Sequence, residues 1–346
     1  MAEIRVDQKT VFVTGAAGFI GASVCRRLLE TTDVRVIGVD SFTDYYDVAL
    51  KERRAELLKQ SGGADRFSLI RGDVSDISFV EEVFKTYHPS VVIHLAAQAG
   101  VRYSIEHPDV YIRSNILGFY TILEMCRKYP VEHLVFASSS SVYGDGDNYP
   151  TSEDQDTSHP VSLYAATKKS DEVIAHAYSK LYGIPMTGLR FFTVYGPYGR
   201  PDMAYFSFAD KMVRGEKIRL FNYGKCERDF TYIDDIVEGI CLVAKKSPGG
   251  DIPYEIYNIG KGSPDLLSDF VRILAEELKS AGCIREGFRL EDHVEYVPMQ
   301  PGDVQTTYAD TSKLERDFGY HPTTDLRTGL RRFAAWYHDY SRGNRS

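Results

Sequence analysis

Short apolar runs that alternate with helical patterns fill the first half of this 346-residue chain. The runs are nearly continuous, which is typical of parallel strands that are buried on both faces. Helices between them supply the crossovers that parallel neighbours need. Strands are predicted at 10–15, 34–40, 67–73, 91–97, 133–139 and 186–192, and helices at 21–30, 79–87, 115–129 and 164–181. The pattern predicts a doubly wound parallel α/β sheet, whose ligands collect beyond the carboxyl ends of the strands.

Three glycines follow the first predicted strand and open the first helix with the spacing G-x-x-G-x-x-G, namely Gly15, Gly18 and Gly21. Glycines at this spacing permit a tight turn and let a pyrophosphate approach the backbone at the helix N-terminus. An ordinary glycine-rich turn explains an isolated match equally well. Because a strand precedes this turn and a helix follows it, the pattern predicts a dinucleotide site.

Carboxylates and small residues end the next three strands. Asp40 lies 19 residues after Gly21, where a carboxylate accepts both hydroxyls of an adenosine ribose and repels a 2′-phosphate. No arginine follows it directly, so NAD is favoured over NADP. Asp73 is placed to meet the adenine, although a cap at the end of a strand also explains it. The fourth strand ends in residues that let a flat cofactor lie against the backbone, or that simply pack in the core: Leu95, Ala96 and Ala97.

Tyr164 and Lys168 form a Y-x-x-x-K pattern, which places both side chains on one face of a helix. The ordinary pKa of a tyrosine is about 10, so a phenolate base near pH 7 needs about 4 kcal/mol of stabilisation. A nearby ammonium and a positively charged nicotinamide both favour the anion. Four serines, 138–141, end the fifth strand at the same edge of the sheet, where they form either a substrate contact or an ordinary loop.

The order of these motifs resembles the extended short-chain dehydrogenase/reductase family of nucleotide-sugar epimerases and dehydratases. The resemblance covers the chain from Gly15 to about Leu314. It implies a Rossmann-type NAD-binding domain in which Ser139, Tyr164 and Lys168 are catalytic. It also implies that several further residues contact the cofactor: Phe19, Ile20, Val74, Asn115 and Phe191.

Three segments are similar to the UDP-glucuronate 4-epimerase branch of that family: 94–104, 190–204 and 220–235. The resemblance implies that Arg228 and Asp303 contact the nucleotide and that Arg219 and Phe221 border the uracil. Gln300 stands where UDP-galactose epimerases typically carry an arginine for the diphosphate, so that charge would fall mainly on Arg228. By the same resemblance, the carboxylate end of the sugar is surrounded by Ser140, Ser141, Thr193 and Arg200.

The implied reaction inverts C4 of UDP-glucuronate to give UDP-galacturonate through a 4-keto sugar, with Tyr164 as base and NAD bound throughout. A ketone at C4 makes the C6 carboxylate a β-keto acid, which loses carbon dioxide when the breaking bond aligns with the carbonyl. Hydroxyl donors at Ser140, Ser141 and Thr193 would hold the carboxylate away from that alignment. Family decarboxylases and dehydratases generally place an acidic residue just after the catalytic serine or threonine, where this chain has serines.

Two other functions stay open. A UDP-glucose/UDP-galactose 4-epimerase would use the same chemistry on a neutral sugar. A binding protein of this fold that senses NAD without catalysis is the other alternative, although such proteins often lack the tyrosine or lysine that this chain retains. For the domain organisation, we expect residues 1–195 to bind NAD, with 230–260 returning to that domain, and residues 196–346 to form mainly a smaller α/β domain for the UDP-sugar.

Composition limits the kinds of molecule that we expect the protein to bind. The chain carries 41 Lys and Arg against 49 Asp and Glu, a net charge of -8, which argues against a nucleic-acid or anionic-membrane surface. No apolar run approaches the length of a membrane span, and the N-terminus lacks a signal core. The five cysteines contain no C-x-x-C and the histidines show no ligand spacing, so we expect no metal and a cytoplasmic location.

Apolar stripes occur on the predicted helices 115–129 and 164–181. Family relatives that dimerise suggest that these helices pair across a two-fold axis in a homodimer. Burial within a single chain explains the stripes equally well.

Overall fold

A seven-stranded sheet is the framework of the protein, whose computed structural model describes residues 1–4, 9–61, 65–299 and 304–343. All six pairs of neighbouring strands are parallel, and the order across the sheet is β7-β6-β5-β4-β1-β2-β3. The chain winds outward from β1 to β3 and then crosses back to β4 on the other side of β1, which leaves a crevice at the carboxyl ends of β1 and β4. In chain order the strands are β1 (Thr10–Thr14), β2 (Arg35–Asp40), β3 (Phe67–Arg71), β4 (Val91–His94), β5 (His133–Ser139), β6 (Met186–Phe191) and β7 (Tyr254–Ile259).

Ten helices are described in the ranges above, together with shorter turns. They are α1 (Phe19–Thr31), α2 (Val48–Ser61), α3 (Ile77–Tyr87), α4 (Gly118–Lys128), α5 (Leu163–Tyr182), α6 (Ala204–Arg214), α7 (Ile233–Ala244), α8 (Leu267–Ser280), α9 (Ser312–Phe318) and α10 (Leu326–Gly343). The shorter helical segments are Tyr103–Glu106, Pro108–Tyr111, a π-helical turn at Ile112–Leu117, and 3-10 turns at Ser140–Tyr143, Phe221–Gly224 and Leu290–His293.

Both faces of the sheet are covered, which explains the unbroken apolar strands. Val11 and Val13 of β1 belong to one core cluster, and Phe12 between them belongs to the other. Successive side chains of a strand point to opposite faces, so each core receives alternate residues. Helices α1, α2 and α7 pack together on one side, and α3, α4 and α5 on the other.

Three short strand pairs lie above the carboxyl edge of the sheet: Thr193–Tyr195 with Phe230–Tyr232, Ile218–Leu220 with Val294–Tyr296, and Glu227–Arg228 with Asp265–Leu266. A fourth pair, Ala2–Glu3 with Lys246–Ser247, lies at the amino edge, before β1 and before β7. Helices α8 and α10 pack against each other beside α6, where Phe206, Phe333 and Trp336 form an aromatic cluster. This layer forms one wall of the crevice.

The predicted parallel sheet is confirmed, with three differences in detail. The fourth strand ends at His94 rather than residue 97, because the chain turns into the crevice there. The predicted helix 115–129 begins at Gly118 and follows the π-helical turn. The stretch from residue 254 does enter the sheet, as β7, but Phe230–Tyr232 pairs with Thr193–Tyr195 in a separate two-stranded sheet.

No helix within the described ranges is long and apolar enough to cross a membrane. The five cysteines are all free thiols; Cys25, Cys126, Cys226 and Cys241 are buried, and Cys283 is half-buried. No group of three or more potential metal ligands occurs among the residues that the structure covers.

Burial of His133 makes the stability of the fold depend on pH. His133 begins β5, is fully buried, and its Nε2 lies 2.9 Å from Thr187 Oγ1 on β6. Desolvation lowers its pKa from 6.5 to about 4. The unfolded chain therefore takes up this proton at a higher pH than the folded protein, so stability that is present above pH 6.5 is lost as the pH falls toward 4.

We predict that His133→Gln reduces this loss. Between pH 7.5 and pH 5.5, the free energy of unfolding of the variant should fall by about 1.4 kcal/mol less than that of the parent protein. Urea titrations at both pH values measure the difference. His321→Gln, at an exposed histidine, is the control, and an equal acid loss in all three proteins would contradict the assignment.

Candidate functional site

A cleft of about 1300 Å³ opens at the carboxyl edge of the sheet, beneath the layer of short strands. It brings together almost all of the residues that the sequence analysis singled out. Two predicted site residues are exceptions. Asn115 is buried and does not line the cleft, and Asp303 lies outside the described residues. Gln300, which the sequence comparison also singled out, lies outside them too. The predicted residues that line the cleft are Gly15, Gly18, Phe19, Ile20, Gly21, Asp40, Asp73, Val74, Leu95, Ala96, Ala97, Ser139, Ser140, Ser141, Tyr164, Lys168, Phe191, Thr193, Arg200, Arg219, Phe221 and Arg228.

The glycine-rich turn has no room for side chains. Gly15 has φ 69°, and a Cβ there would lie 2.9 Å from the backbone N of Ala96. A Cβ on Gly21 would lie 2.0 Å from the Gly15 carbonyl oxygen. Gly18 is the N-cap residue of α1 and has no side chain that could accept hydrogen bonds from the first N–H groups of the helix. The turn therefore presents bare backbone and a helix N-terminus, which suits a phosphate.

Asp40 is held rigidly beside this turn. Its Oδ2 accepts a hydrogen bond from Ala17 N at 3.0 Å, and its Oδ1 accepts one from Phe42 N at 2.8 Å. The side chain is only 7% exposed and lines the cleft. Since a carboxylate oxygen can accept more than one hydrogen bond, the group can still receive hydroxyls from a ligand.

Asp73 has two structural partners as well as its place in the cleft. Its Oδ1 accepts hydrogen bonds from Ser75 N and Ser75 Oγ at 2.9 and 2.8 Å. Its Oδ2 forms an ion pair with Arg113 at 3.0 Å. The carboxylate therefore also caps the turn after β3, which was the alternative explanation of this residue.

Two polar side chains at the ends of β1 and β4, Thr14 and His94, support the loop that follows β4. Thr14 Oγ1 accepts hydrogen bonds from the backbone N of Leu95 and Ala96 at 3.2 and 3.1 Å, and lies 2.8 Å from His94 Nδ1. Burial, with a smaller contribution from Lys168, lowers the pKa of His94 to about 3. A neutral His94 thus supports the strand end, a role that no motif indicated.

Asn115 holds the same loop from behind. It lies in the π-helical turn, where its Oδ1 accepts a hydrogen bond from Gln98 N at 2.8 Å. Its Nδ2 donates to Gln98 O at 3.1 Å and to Thr167 Oγ1 at 3.0 Å. Asn115 therefore links the loop after β4 to helix α5, one turn from Tyr164.

Helix α5 delivers Tyr164 and Lys168 to the cleft. Ser162 caps it by accepting a hydrogen bond from Ala165 N at 3.1 Å, so Tyr164 lies in the first turn. Lys168 Nζ donates to Asp171 Oδ2 at 3.1 Å, and both side chains are almost fully buried. Burial raises the pKa of Asp171 to about 6. Sequence reasoning missed this partner, because an i,i+3 acidic residue after a lysine is common on any helix.

The four serines have different environments. Ser138 Oγ donates to Glu172 Oε1 at 2.6 Å, inside a buried network. Arg190 Nε and Nη2 donate to the two oxygens of the same carboxylate at 2.8 and 2.9 Å, which joins α5 to β5 and β6. Ser139 Oγ accepts a hydrogen bond from Ser141 N at 3.1 Å and so caps the 3-10 turn Ser140–Tyr143. Ser139, Ser140 and Ser141 face the cleft beside Tyr164.

Arg200 lines the cleft, as does Thr193. Its Nε donates to Asp202 Oδ1 at 3.0 Å and its Nη2 donates to Asp202 Oδ2, so the two side chains form an ion pair; Nη2 also donates to Ala99 O at 3.3 Å. Tyr45 OH also donates to Asp202 Oδ2, at 3.1 Å. Among the described residues Nη1 makes no hydrogen bond, which leaves part of the guanidinium available to an anionic ligand.

The far end of the cleft carries the predicted nucleotide contacts. Arg219 forms an exposed ion pair with Glu295 at 3.0 Å, and Phe221 lies beneath the guanidinium of Arg102 at 5.7 Å. Arg228 Nη1 donates to Gln305 O at 3.0 Å and Nη2 to Val304 O at 2.8 Å. Arg228 therefore anchors the backbone next to the segment that contains Asp303.

Several cleft residues were not found from the sequence. They lie in the segment after β2, just before α6 or on α6, and no short motif distinguishes them: Tyr45, Tyr46, Lys51, Asp202, Ser207 and Lys211. Lys51 is buried and donates to Thr43 O at 2.8 Å, and desolvation lowers its pKa. Their position in the cleft depends on how loops pack over the sheet edge, which local sequence does not reveal.

Comparison with protein-family models matches residues 11–260 to the NAD dependent epimerase/dehydratase family. Among curated proteins, UDP-glucuronate 4-epimerase 4 of Arabidopsis thaliana is 47% identical over 350 residues, covering 97% of this chain and 77% of that protein. These matches span the sheet, the cleft and the layer above it.

Solved structures give the same result. The UDP-glucuronic acid 4-epimerase of Bacillus cereus, in complex with UDP-glucuronic acid and NAD, is 32% identical with a TM-score of 0.85, covering 96% of this chain and 99% of that one. The UDP-glucose 4-epimerase of Thermotoga maritima, with UDP-glucose, is 30% identical with a TM-score of 0.81 and the same coverages.

We predict that Gly21→Ala damages the turn. A Cβ would lie 2.0 Å from the Gly15 carbonyl oxygen, so the turn must open and the phosphate cradle must widen. The Kd for NAD should rise about 10-fold or more, because the backbone can no longer approach the pyrophosphate closely. Titration calorimetry with NAD measures this. Gly249→Ala is the control, since a Cβ there meets nothing within 4 Å; equal Kd values for the two variants would contradict the prediction.

Proposed function

The chain belongs to the NAD dependent epimerase/dehydratase family, and we propose that it converts UDP-glucuronate to UDP-galacturonate by inverting C4. One arrangement carries this proposal: Tyr164, Lys168 and Ser139 line the same cleft as the hydroxyls of Ser140, Ser141 and Thr193 and the guanidinium of Arg200, which is paired with Asp202. Such a lining matches a sugar that ends in a carboxylate. The similarity to UDP-glucuronate 4-epimerases over nearly the full chain supports it.

The cleft fits NAD at its glycine-rich end. Side chains at Gly15 or Gly21 would collide with the backbone of Ala96 or Gly15 and force the turn open, whereas the tight turn lets a pyrophosphate approach the N-terminus of α1. We assign the adenosine ribose to Asp40, the adenine to Asp73 and Val74, and the nicotinamide end to Leu95, Ala96, Ala97 and Phe191, with Phe19 and Ile20 beside the pyrophosphate. When bound, NAD supplies the reversible oxidation of the sugar at C4.

Tyr164 is the proposed general base for the O4 proton of the sugar. Lys168 lies one helical turn away on the same face of α5 and is the proposed partner of Tyr164 in the reaction. Ser139, at the end of β5, donates to the same sugar oxygen and holds it in place. The tyrosine returns the proton after the 4-keto sugar has turned its other face toward the cofactor.

Ser140, Ser141, Thr193 and Arg200 are proposed to bind the C6 carboxylate. Each charge-assisted hydrogen bond contributes about 1.5–3 kcal/mol, so two or three can hold the carboxylate out of the alignment that decarboxylation requires. No acidic residue follows Ser139 directly. The absence of that acid favours an epimerase over the decarboxylases and dehydratases of the family.

The remaining cleft is assigned to the nucleotide. We propose that Arg228 and Asp303 contact the UDP moiety and that Arg219 and Phe221 border the uracil. On this assignment residues 1–195, with β7, bind NAD, and the layer built mainly from residues 196–346 binds the UDP-sugar. The free thiols support a reducing compartment, and we propose the cytoplasm.

We further propose a homodimer through the outer faces of α4 and α5. Large apolar side chains on these helices, or directly before α4, are exposed in the single chain: Leu117, Tyr120, Val173, Leu181 and Tyr182. Burial within the chain therefore does not account for them, and exposed apolar side chains on two helices that pack together suit an interface.

The proposed reaction gives a direct prediction. UDP-glucuronate deuterated at C4 should yield UDP-galacturonate that retains the label, because the oxidation and the reduction occur in one closed site. Tyr164→Phe should lower kcat by about 100-fold or more, since it removes the general base. Mass spectrometry of the product and coupled rate measurements test both statements.

Tyr178→Phe, on the same helix but bonded to Glu124, is the matched control and should keep full kcat. Loss of the label to water, or unchanged turnover by Tyr164→Phe, would refute the mechanism. Faster turnover of UDP-glucose than of UDP-glucuronate would favour the neutral-sugar epimerase. Binding of NAD without turnover of either sugar would favour the sensor protein.

The dimer proposal predicts that Val173→Glu converts the protein to a monomer in sedimentation velocity. A buried carboxylate at the centre of an apolar interface lacks a partner and weakens association. Leu266→Glu, at an exposed leucine away from these helices, should leave the sedimentation coefficient unchanged. A monomeric parent protein would reject the proposal.

A further inference from the structure

Arg54 is a buried cation that none of the steps above uses. It lies on α2, and its side chain is only 2% exposed, whereas the neighbouring Arg53 is exposed. Within the described part of the chain it forms no ion pair with a carboxylate. A buried charge without a counter-ion is retained only when hydrogen bonds satisfy it.

All five N–H groups of the Arg54 guanidinium are used. Nε and Nη2 both donate to Tyr198 O, at 3.0 and 2.6 Å, and Nη2 also donates to Gly199 O at 3.1 Å. Nη1 donates to Ala17 O at 3.0 Å and to Tyr46 OH at 2.7 Å. One side chain thus joins three backbone carbonyls that come from two distant segments.

One of these segments is the glycine-rich turn. Ala17 lies between Gly15 and Gly18, and its N–H donates to Asp40 at 3.0 Å while its carbonyl accepts from Arg54. The backbone of a single residue, Ala17, therefore connects the carboxylate assigned to the adenosine ribose with the buried guanidinium.

The other segment leads directly into Arg200. Tyr198 has φ 58°, in the left-handed region that a residue with a Cβ seldom adopts. The adjacent Gly199 has no space for a side chain, because a Cβ there would lie 1.6 Å from Tyr205 OH. A turn in this conformation persists only when its surroundings hold it, and Arg54 contributes three of the hydrogen bonds that do so.

We propose that Arg54 is a positioning residue that sets uronate recognition: it locks the 198–200 turn onto the glycine-rich turn and so aims Arg200 at the sugar carboxylate. This inference rests on the proposed function, in which Arg200 contacts that carboxylate. Arg54 itself does not line the cleft, so its effect on the substrate passes through the two turns.

Only a guanidinium can make this connection. Its planar fork directs five donors to fixed positions, whereas a lysine offers three donors from a single atom. Arg54→Lys keeps the charge and loses most of the bridge, which makes it a sharper test than removal of the whole side chain.

The test compares two ligands that share the nucleotide but not the carboxylate. For Arg54→Lys and Arg54→Met, the KM for UDP-glucuronate should rise about 10- to 100-fold, because the carboxylate contact is misplaced. The Kd for UDP, which lacks the sugar, should change by less than about 2-fold. Arg53→Met, on the same helix and exposed, should match the parent protein in both.

If Arg54→Met does not fold, Arg54→Lys and Tyr46→Phe decide the matter. Tyr46→Phe removes one acceptor of Nη1, so it should raise the KM for UDP-glucuronate in the same direction by a smaller factor. Equal changes in the KM for UDP-glucuronate and the Kd for UDP, or a parental KM in the lysine variant, would overturn the inference. Failure of the proposed function appears instead in the parent protein, as an absence of epimerisation.

Discussion

The contact between the glycine-rich turn and the loop after β4 is the constraint on which the rest of the site depends. Bare backbone at Gly15 lies against Ala96, and Gly21 lies against Gly15, with no space for a methyl group at either point. This close approach brings α1 onto the edge of the sheet with its N-terminus directed into the cleft. Thr14 and Asn115 fix the opposing loop by hydrogen bonds from below and behind.

Buried polar groups then extend this arrangement to Tyr164 and Lys168, the proposed catalytic residues. Asn115 joins the loop after β4 to Thr167 on the helix that carries Tyr164 and Lys168. Glu172, further along that helix, binds Arg190 and Ser138 and so sets the helix against the strand that ends in Ser139. Because each of these groups is satisfied inside the protein, the helix and the strand have one favourable relative position.

The two halves of the cleft differ in how they are built. The half proposed to bind the dinucleotide consists of strand ends and backbone, so its shape follows from the sheet. The half proposed to bind the UDP-sugar consists mainly of loops, and Arg54 and Arg228 hold them by donating to backbone carbonyls rather than to carboxylates. Arginine suits this task because its donors are fixed in direction and its charge is permanent.

Local sequence determined the sheet, the glycine-rich turn, Asp40, and the placement of Tyr164 and Lys168 on one helix face. These features follow from periodicity and short spacing, which act within a few residues along the chain. Tertiary structure alone decided four other features. These are the contacts of residues 41–54 with the cleft, the Lys168–Asp171 pair, the separate pairing of Phe230–Tyr232, and the bridge from Arg54 to residues 198 and 199. They join segments that are tens of residues to more than a hundred residues apart, or they depend on burial, and neither property is encoded in a local pattern of side chains.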